Sequence, residues 1–380
     1  MRYFDHNATH PLSAAARAAW LDAVERFPAN PSSPHRWGAR AATALDEARE
    51  KVGRWLNCRP EDVVWTSGAT EANNAVIQHL AATTTGKVLI SALEHPSVRV
   101  AAKRWLAGRL EEIPVSREGV TDPVWVYGRL ERRDVAAVVT MAANNETGVL
   151  QPWVVLNSVC AEFGVPYFCD AAQWVGKMSG SEIASCDLLT ACAHKFGGPQ
   201  GVGFMKCPAN FHPFLVGGPQ EDGRRAGTEN VAGVLAMVAA LEEREKAMEP
   251  PGTLFPAVLE PRLAWRARFI ADLTGTLPGV EIVGAGAGRL WNSVAALMPA
   301  AADCRRRWVV KLDKLGFAVS AGSACASGKE QPSYVLAAMG YRPDESDRML
   351  RFSAGWDTTE EDWRALLDAI LQAADELGTV

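Results

Sequence analysis

The sequence predicts an α/β fold: a mostly parallel sheet sandwiched by helices, followed by a smaller α/β domain. Two observations carry this. Short apolar runs bounded by turn residues alternate with helix-like stretches, and the runs are continuous rather than alternating, as in strands buried on both faces. At 380 residues the chain also exceeds what one ordinary core holds, so about two domains are expected.

In chain order, Val63-Val64-Trp65-Thr66 reads as a strand, with a helix beginning near Thr70. Lys87–Ser91 reads as the next strand, and Pro96 suits the first turn of the helix after it. The runs 136–140 and 165–169 flank a helix at about 153–163, completing the βαβ rhythm. Asp187–Ala191 and Gly201–Lys206 lie too close together for a helical crossover, so the second strand is expected to return antiparallel. A charged helix around Glu242–Lys246 ends at Glu249-Pro250-Pro251-Gly252, where a domain boundary is placed. Beyond it a helix at about 256–274, strands near 280–283 and 290–298, and helices at 303–314 and 359–377 compose the smaller domain.

Composition narrows the function classes. Hydrophobic residues make up 48% and charged residues 22%, ordinary for a globular protein. A net charge of −5 leaves no basic footprint for nucleic acid. No apolar run approaches the roughly 20 residues that cross a bilayer, and Met1–His6 does not read as a secretory signal. The eight cysteines are scattered with no C-x-x-C pair, so a reduced, cytoplasmic chain without a metal site is expected. Cys160, Cys169, Cys186 and Cys192 fall in or beside apolar runs and read as small core residues.

The chemistry concentrates where apolar runs end. Lys195, in Ala193-His194-Lys195-Phe196-Gly197, leaves the run 187–191, where poor solvation favours the neutral amine over the ammonium. A neutral amine is what a Schiff base with an aldehyde cofactor needs. Asp170 ends the run 165–170. Together Lys195 and Asp170 are the pair a pyridoxal phosphate site requires, one for the aldehyde and one for the pyridinium nitrogen; a surface lysine after a strand is the other reading of Lys195. Ser67-Gly68-Ala69-Thr70 opens a helix whose first N–H groups can face a phosphate; a simply capped helix is the other reading. His95 stands at another strand-to-helix junction, either structural or stacked on a flat cofactor as a proton relay. In open parallel sheets the ligand crevice lies beyond the carboxyl ends of the strands, which is where these four residues fall.

Further candidates are softer. Asn144-Asn145 suits a phenolate or a carboxylate, or simply a turn, and Gln173 lies three residues after Asp170. In the Gly-rich stretch 217–230, Thr228 is read as a helix cap or a phosphate ligand, and Arg224 and Arg225 as solvated charges or subunit contacts. Arg351 suits either a substrate carboxylate or an internal salt bridge. Ser320–Gly328, almost all Ser, Ala and Gly, reads as a mobile loop with an accessible thiol at Cys325.

Taken together, these segments resemble the cysteine desulfurases, in the class V aminotransferase group of fold-type I pyridoxal-phosphate enzymes. The likeness covers Tyr3–Thr9, Asn30–Ser33, Ser67–Asn74, Glu94-His95-Pro96, Asn144–Gly148, Asp170–Gln173, Ala193–Lys195, Arg224–Asn230, Ser323–Cys325 and Arg351–Ser353. The extended cysteine loop is similar to that of the long-loop subgroup. The resemblance implies a seven-stranded sheet in a large cofactor-binding domain at 13–252. It puts 1–12 and 253–380 in a small domain carrying the cysteine loop at about 320–331. It implies a homodimer that converts L-cysteine to L-alanine and passes sulfur to an acceptor protein, such as a scaffold for iron–sulfur cluster assembly or a thiolation enzyme. In that scheme Lys195 forms the Schiff base, His95 stacks and relays protons, and Asp170 pairs with the ring nitrogen. Gln173 and Asn145 approach the phenolate or the substrate. Ala69, Thr70 and His194 hold the phosphate, and Thr228 reaches in from a partner subunit. Arg351 binds the substrate carboxylate, and Cys325 takes the sulfur as a persulfide. A selenocysteine lyase, a class V transaminase or a non-catalytic relative are the rival readings. Departures include Cys192 where a serine commonly meets the phosphate, which weakens or removes that contact, and Ala142, Gly197, Gln200, Val216, Asp222 and Trp356-Asp357; the loop changes bear on which acceptor docks.

Overall fold

The computed structural model describes residues 1–180, 183–248, 256–301, 304–322 and 332–379. The boundary segment at 249–252 and Cys325 with most of its loop lie outside them.

A seven-stranded sheet forms the centre, in the spatial order Val63–Thr66, Gly203–Lys206, Leu188–Cys192, Tyr167–Asp170, Val135–Met141, Lys87–Ser91, Leu110–Ile113. Gly203–Lys206 is antiparallel to both its neighbours, and every other pairing is parallel. The short link from Cys192 to Gly203 leaves no room for a crossover helix, which is why this strand reverses. Strands 63–66, 167–170 and 188–192 are buried at every position, as their unbroken apolar runs foretold.

Local chemistry places the helices. Pro96 opens Pro96–Trp105, where His95 accepts from the Ser97 N–H, and Asp122 caps Pro123–Leu130 with two such bonds. The helix expected from 256 is a 3-10 turn at Ala257–Leu259 followed by Glu260–Thr276, with Pro261 in the first helical turn. The strand expected at 290–298 is confined to Ser293–Leu297, and that at 165–169 begins only at Tyr167, after Pro166. Sequence reading did not single out Ala14–Arg26 or Arg36–Leu56, whose buried faces rely heavily on alanine. It also missed the edge strand Leu110–Ile113, which carries two glutamates.

Apolar contacts gather on both faces of the large sheet, and another cluster forms among C-terminal elements. In the latter, Ser293–Leu297 pairs antiparallel with Met349–Ser353 and Glu281–Ile282. The N-terminus belongs there too. Arg2–Tyr3 pairs parallel with Phe317–Ala318, and Phe4 packs edge-on against Trp363 at 5.0 Å. From that anchor the chain runs on through Asn7 to Thr9 at the carboxyl edge of the large sheet.

Phe4 is 1% exposed, so Phe4→Ala empties a ring-sized space. The variant is expected to lose about 3–5 kcal/mol of stability, read as a lower urea midpoint. An unchanged midpoint would mean that the N-terminal segment is not anchored here.

Candidate active site

The carboxyl ends of the parallel strands open into one cavity of about 760 Å³. Ala69, Thr70, His95, Asn145, Asp170, Gln173, His194, Lys195 and Arg351 all line it. Nine side chains predicted from five separate strand exits and a C-terminal strand therefore share one space. Thr228 is exposed and is not among the lining residues of its own chain. It does not cap the helix either: Asn230 does, accepting from the Gly233 N–H at 3.0 Å. Cys325 lies outside the described residues, but the residues either side of its segment, Gly322 and Pro332, are in the wall.

The start of the cysteine loop is not loose. Ser320 exchanges backbone bonds with Arg351, and the Gly322 N–H donates to the Ser320 hydroxyl at 3.2 Å. Arg224 and Arg225 are likewise not solvated. Arg224 is buried, and Arg225 grips Glu71 with two bonds of 2.8 and 3.1 Å.

At one end of the cavity, helix Ala69–Thr83 presents its N-terminus. Gly68 is its cap residue, and no side chain caps it. Such a terminus carries a partial positive charge and unsatisfied N–H groups. The turn is packed tightly from behind: a Cβ on Gly203 would come 2.8 Å from the Gly68 Cα and 2.5 Å from the Ala191 carbonyl oxygen. Cys192 lies beside this turn, and burial pushes its thiol up to about 11, so it is a neutral group there. His194 meets the Thr9 hydroxyl at 3.2 Å through Nδ1. Burial, with Lys195 and Lys177 nearby, lowers it to about 4, leaving a neutral imidazole.

At the other end Asp170 is 4% exposed. Its oxygens accept from Asn73 Nδ2 and the Ala172 N–H, both at 2.9 Å. Asn73 also donates to Ser97 Oγ at 2.8 Å and accepts from Thr190 Oγ1 at 2.6 Å, so the carboxylate is held by a network spanning three elements. Ser97 in turn meets Nδ1 of His95, by its hydroxyl at 2.8 Å and its N–H at 3.2 Å. A ring nitrogen that accepts a backbone N–H is unprotonated, so Nε2 carries the proton of the neutral ring. Burial lowers the pKa of His95, partly opposed by Asp170.

Lys195 donates to the carbonyl oxygens of Asn7 and Ala8, each at 2.7 Å. The Asn7 carbonyl also accepts from Gln173 Nε2 at 2.9 Å. Asn145 Oδ1 is buried at the cavity wall with no hydrogen-bond partner among the described residues. Arg351 is 1% exposed and makes the internal salt bridge that was one of its two readings. It lines the cavity, and it pairs with Asp5 at 2.6 Å while donating to the Asn145 carbonyl at 2.8 Å. Among the described residues no group of three His, Cys, Asp or Glu side chains is placed to hold a metal ion.

Sequence reasoning passed over Asn73, Ser97, Lys177 and the roles of Asn7. Asn7 and Asn73 lie inside segments already noted, and only Asn73 carried a further signal, an amide close to a predicted strand exit.

The chain is similar to known proteins along nearly its whole length. The profile of the family described as aminotransferase class-V matches residues 2–366. The cysteine desulfurase IscS of Dictyoglomus turgidum is 33% identical over 390 residues, spanning 100% of this chain and 95% of that one. The cysteine desulfurase NifS of Azotobacter vinelandii is 33% identical, over 95% and 89% of the two chains. Among solved structures, a NifS-like protein from Rickettsia africae superposes with a TM-score of 0.86 at 25% identity, covering 99% of each chain.

Near the cavity entrance, His6 is 8% exposed, and burial, aided by His10 and Lys177, lowers it to about 3. A histidine held neutral by folding costs stability as acid protonates it in the unfolded chain first. The loss begins near pH 6.5 and continues down to about 3, at about 1.4 kcal/mol per pH unit. His6→Asn is therefore expected to flatten the stability-versus-pH curve below pH 6.5 by about one proton. Urea titrations of parent and variant between pH 7 and 5 would reveal parallel curves if His6 were not held neutral.

Proposed function

The chain belongs to the aminotransferase class-V family, and we propose that it works as a cysteine desulfurase, converting L-cysteine to L-alanine and storing the sulfur on Cys325. The observation that carries this is the convergence of an amine, a buried carboxylate, a neutral imidazole and an uncapped helix N-terminus on one cavity.

These residues fit pyridoxal phosphate. The N-terminus at Ala69–Thr70, with neutral His194 beside it, suits the phosphate; Thr228, exposed on its own subunit, is free to reach a partner's site in a homodimer. Asp170 suits a protonated ring nitrogen, and Lys195 the aldehyde. When bound, the cofactor supplies an electron sink and a covalent attachment for the substrate amine.

The chain's own groups do the rest. Arg351 offers its guanidinium to the substrate carboxylate at the cavity wall, already oriented by Asp5. His95 would stack on the ring of a bound cofactor, and its Nε2 is the atom available to hold or pass a proton, because Nδ1 is engaged by Ser97. Asn145 and Gln173 line the same cavity, where their amide N–H groups would serve the phenolate oxygen or the substrate carboxylate. Lys195 Nζ can carry a proton at the substrate Cα. The Cys325 thiolate attacks the substrate sulfur: an S–S bond forms as the Cβ–S bond breaks, and the electron pair left on carbon takes a proton to complete the methyl group of alanine. No external oxidant or reductant enters, since L-cysteine and a thiol become L-alanine and a persulfide. Cys325 is the third residue after Gly322 in the wall, a covalent span of at most about 11 Å.

The separate apolar clusters support a large unit at 13–252 and a small one at 1–12 and 253–380, although Leu290, Trp291 and Trp356 pack with the large core. No helix of the described residues is long and apolar enough to cross a membrane. We place the enzyme in the cytoplasm, handing persulfide sulfur to an acceptor protein.

Loaded with cofactor and given L-cysteine, the parent is expected to gain one sulfur atom by intact mass. Cys325→Ser should keep the cofactor's visible band yet form alanine at least about a hundredfold more slowly. Full turnover by this variant would remove Cys325 from the reaction. Lys195→Ala should lose the band of the lysine-linked cofactor, and an unchanged spectrum would contradict its role. Arg351→Ala should raise KM for L-cysteine about 10- to 150-fold, the loss of charge-assisted bonds; an unaltered KM would leave Arg351 as Asp5's partner alone.

A further inference from the structure

Lys177 is a buried amine that the reaction above does not use. It stands four residues after Gln173 and is 2% exposed. Among the described residues no carboxylate pairs with it. Its Nζ donates instead to Asn7 Oδ1 at 2.8 Å and to Gln173 Oε1. The groups that face it are almost all basic: Lys195 and Arg351, with the Cys192 thiol, and the imidazoles of His6, His10 and His194, which it helps to keep neutral. Burying an amine among cations is costly, so its retention in this fold calls for a compensating interaction.

We propose that Lys177 is a positioning residue for Lys195: its buried amine locks Asn7 and Gln173 in one orientation, and the main-chain carbonyl of Asn7 then holds the Lys195 amine. The bonds form a closed relay. Lys177 takes the side-chain oxygens of Asn7 and Gln173, which forces the Gln173 amide nitrogen toward the Asn7 carbonyl, and Lys195 donates to that same carbonyl. Without Lys177 the Gln173 amide is free to flip, and Asn7 keeps only Asn292 on its side-chain oxygen. The second effect is electrostatic. A basic group across Asn7 opposes a second positive charge at Lys195. Burial, and next the proximity of Lys195, hold Lys177 itself well below the usual lysine range, in keeping with this mutual repulsion.

The proposal rests on the pyridoxal phosphate reading. The test uses the full chain loaded with pyridoxal phosphate and compares the parent with Lys177→Met and Lys177→Gln, both uncharged, the second retaining an N–H donor. Three quantities are read: the pH titration of the bound cofactor's visible band, the cofactor dissociation constant and the thermal midpoint. The band is expected to titrate about one pH unit higher in both variants. The dissociation constant is expected to rise about tenfold in Lys177→Met, and less in Lys177→Gln. Variants that titrate where the parent does overturn the proposal, even with a lowered thermal midpoint, because Lys177 then serves the fold alone. If only Lys177→Gln folds, it decides by the same criterion, and failure of both to fold overturns the proposal as well. A parent that shows no visible band with added cofactor overturns the cofactor reading itself, which separates the two failures.

Discussion

All four polar groups of Asn7 are committed. Its N–H donates to Ser353 Oγ at 3.0 Å and its side-chain nitrogen to Ser293 Oγ at 2.8 Å, both on C-terminal strands. Its carbonyl accepts from Lys195 and Gln173, and its side-chain oxygen from Lys177, on the large-sheet side of the cavity. One residue of an N-terminal segment thus joins groups up to 346 positions apart at the point where the cavity opens. In a buried setting each of these bonds removes a penalty of about 1–3 kcal/mol for a polar group left without a partner, so the segment has little freedom to move.

Desolvation gives the surrounding groups their chemical states. Away from water the charged form of an isolated group is disfavoured, so His95, His194 and Lys177 are all shifted toward their neutral forms. The carboxylates that remain near the cavity are held by donors. Asp170 has Asn73 and a backbone N–H, and Asp5 has Arg351. Glu94 shows the contrast. It is fully buried, one of its oxygens has no partner, and its pKa is pushed well above the ordinary carboxylate value by burial and by Asp170. The cavity therefore combines carboxylates anchored by donors, imidazoles shifted toward neutrality and an uncapped helix N-terminus.

Much of this was legible along the chain, and the residues say why. Asp170, Lys195, His95 and Thr70 each follow a continuous apolar run, and a parallel sheet brings the carboxyl ends of such runs to one edge. The misreadings share a cause. Arg225 sits in a Gly-rich stretch that looks solvated, yet its partner Glu71 is 154 residues away. Thr228 resembled a helix cap because it precedes a helix, but the chain extends two residues further and Asn230 takes that place. Arg351 admitted two readings, and it is both a cavity residue and an ion-pair partner.

Periodicity, residue type and loop length are properties of neighbours in the chain. They were enough to determine six of the seven strands of the sheet, the reversal at Gly203–Lys206, and which reactive groups leave which strands. Only the tertiary structure could decide which polar atoms find partners and which charges are suppressed. Those outcomes depend on distances between residues remote in sequence and on how much water folding removes from between them; Lys177, unremarkable as a letter between Gly176 and Met178, becomes a buried amine among cations only once the chain has folded.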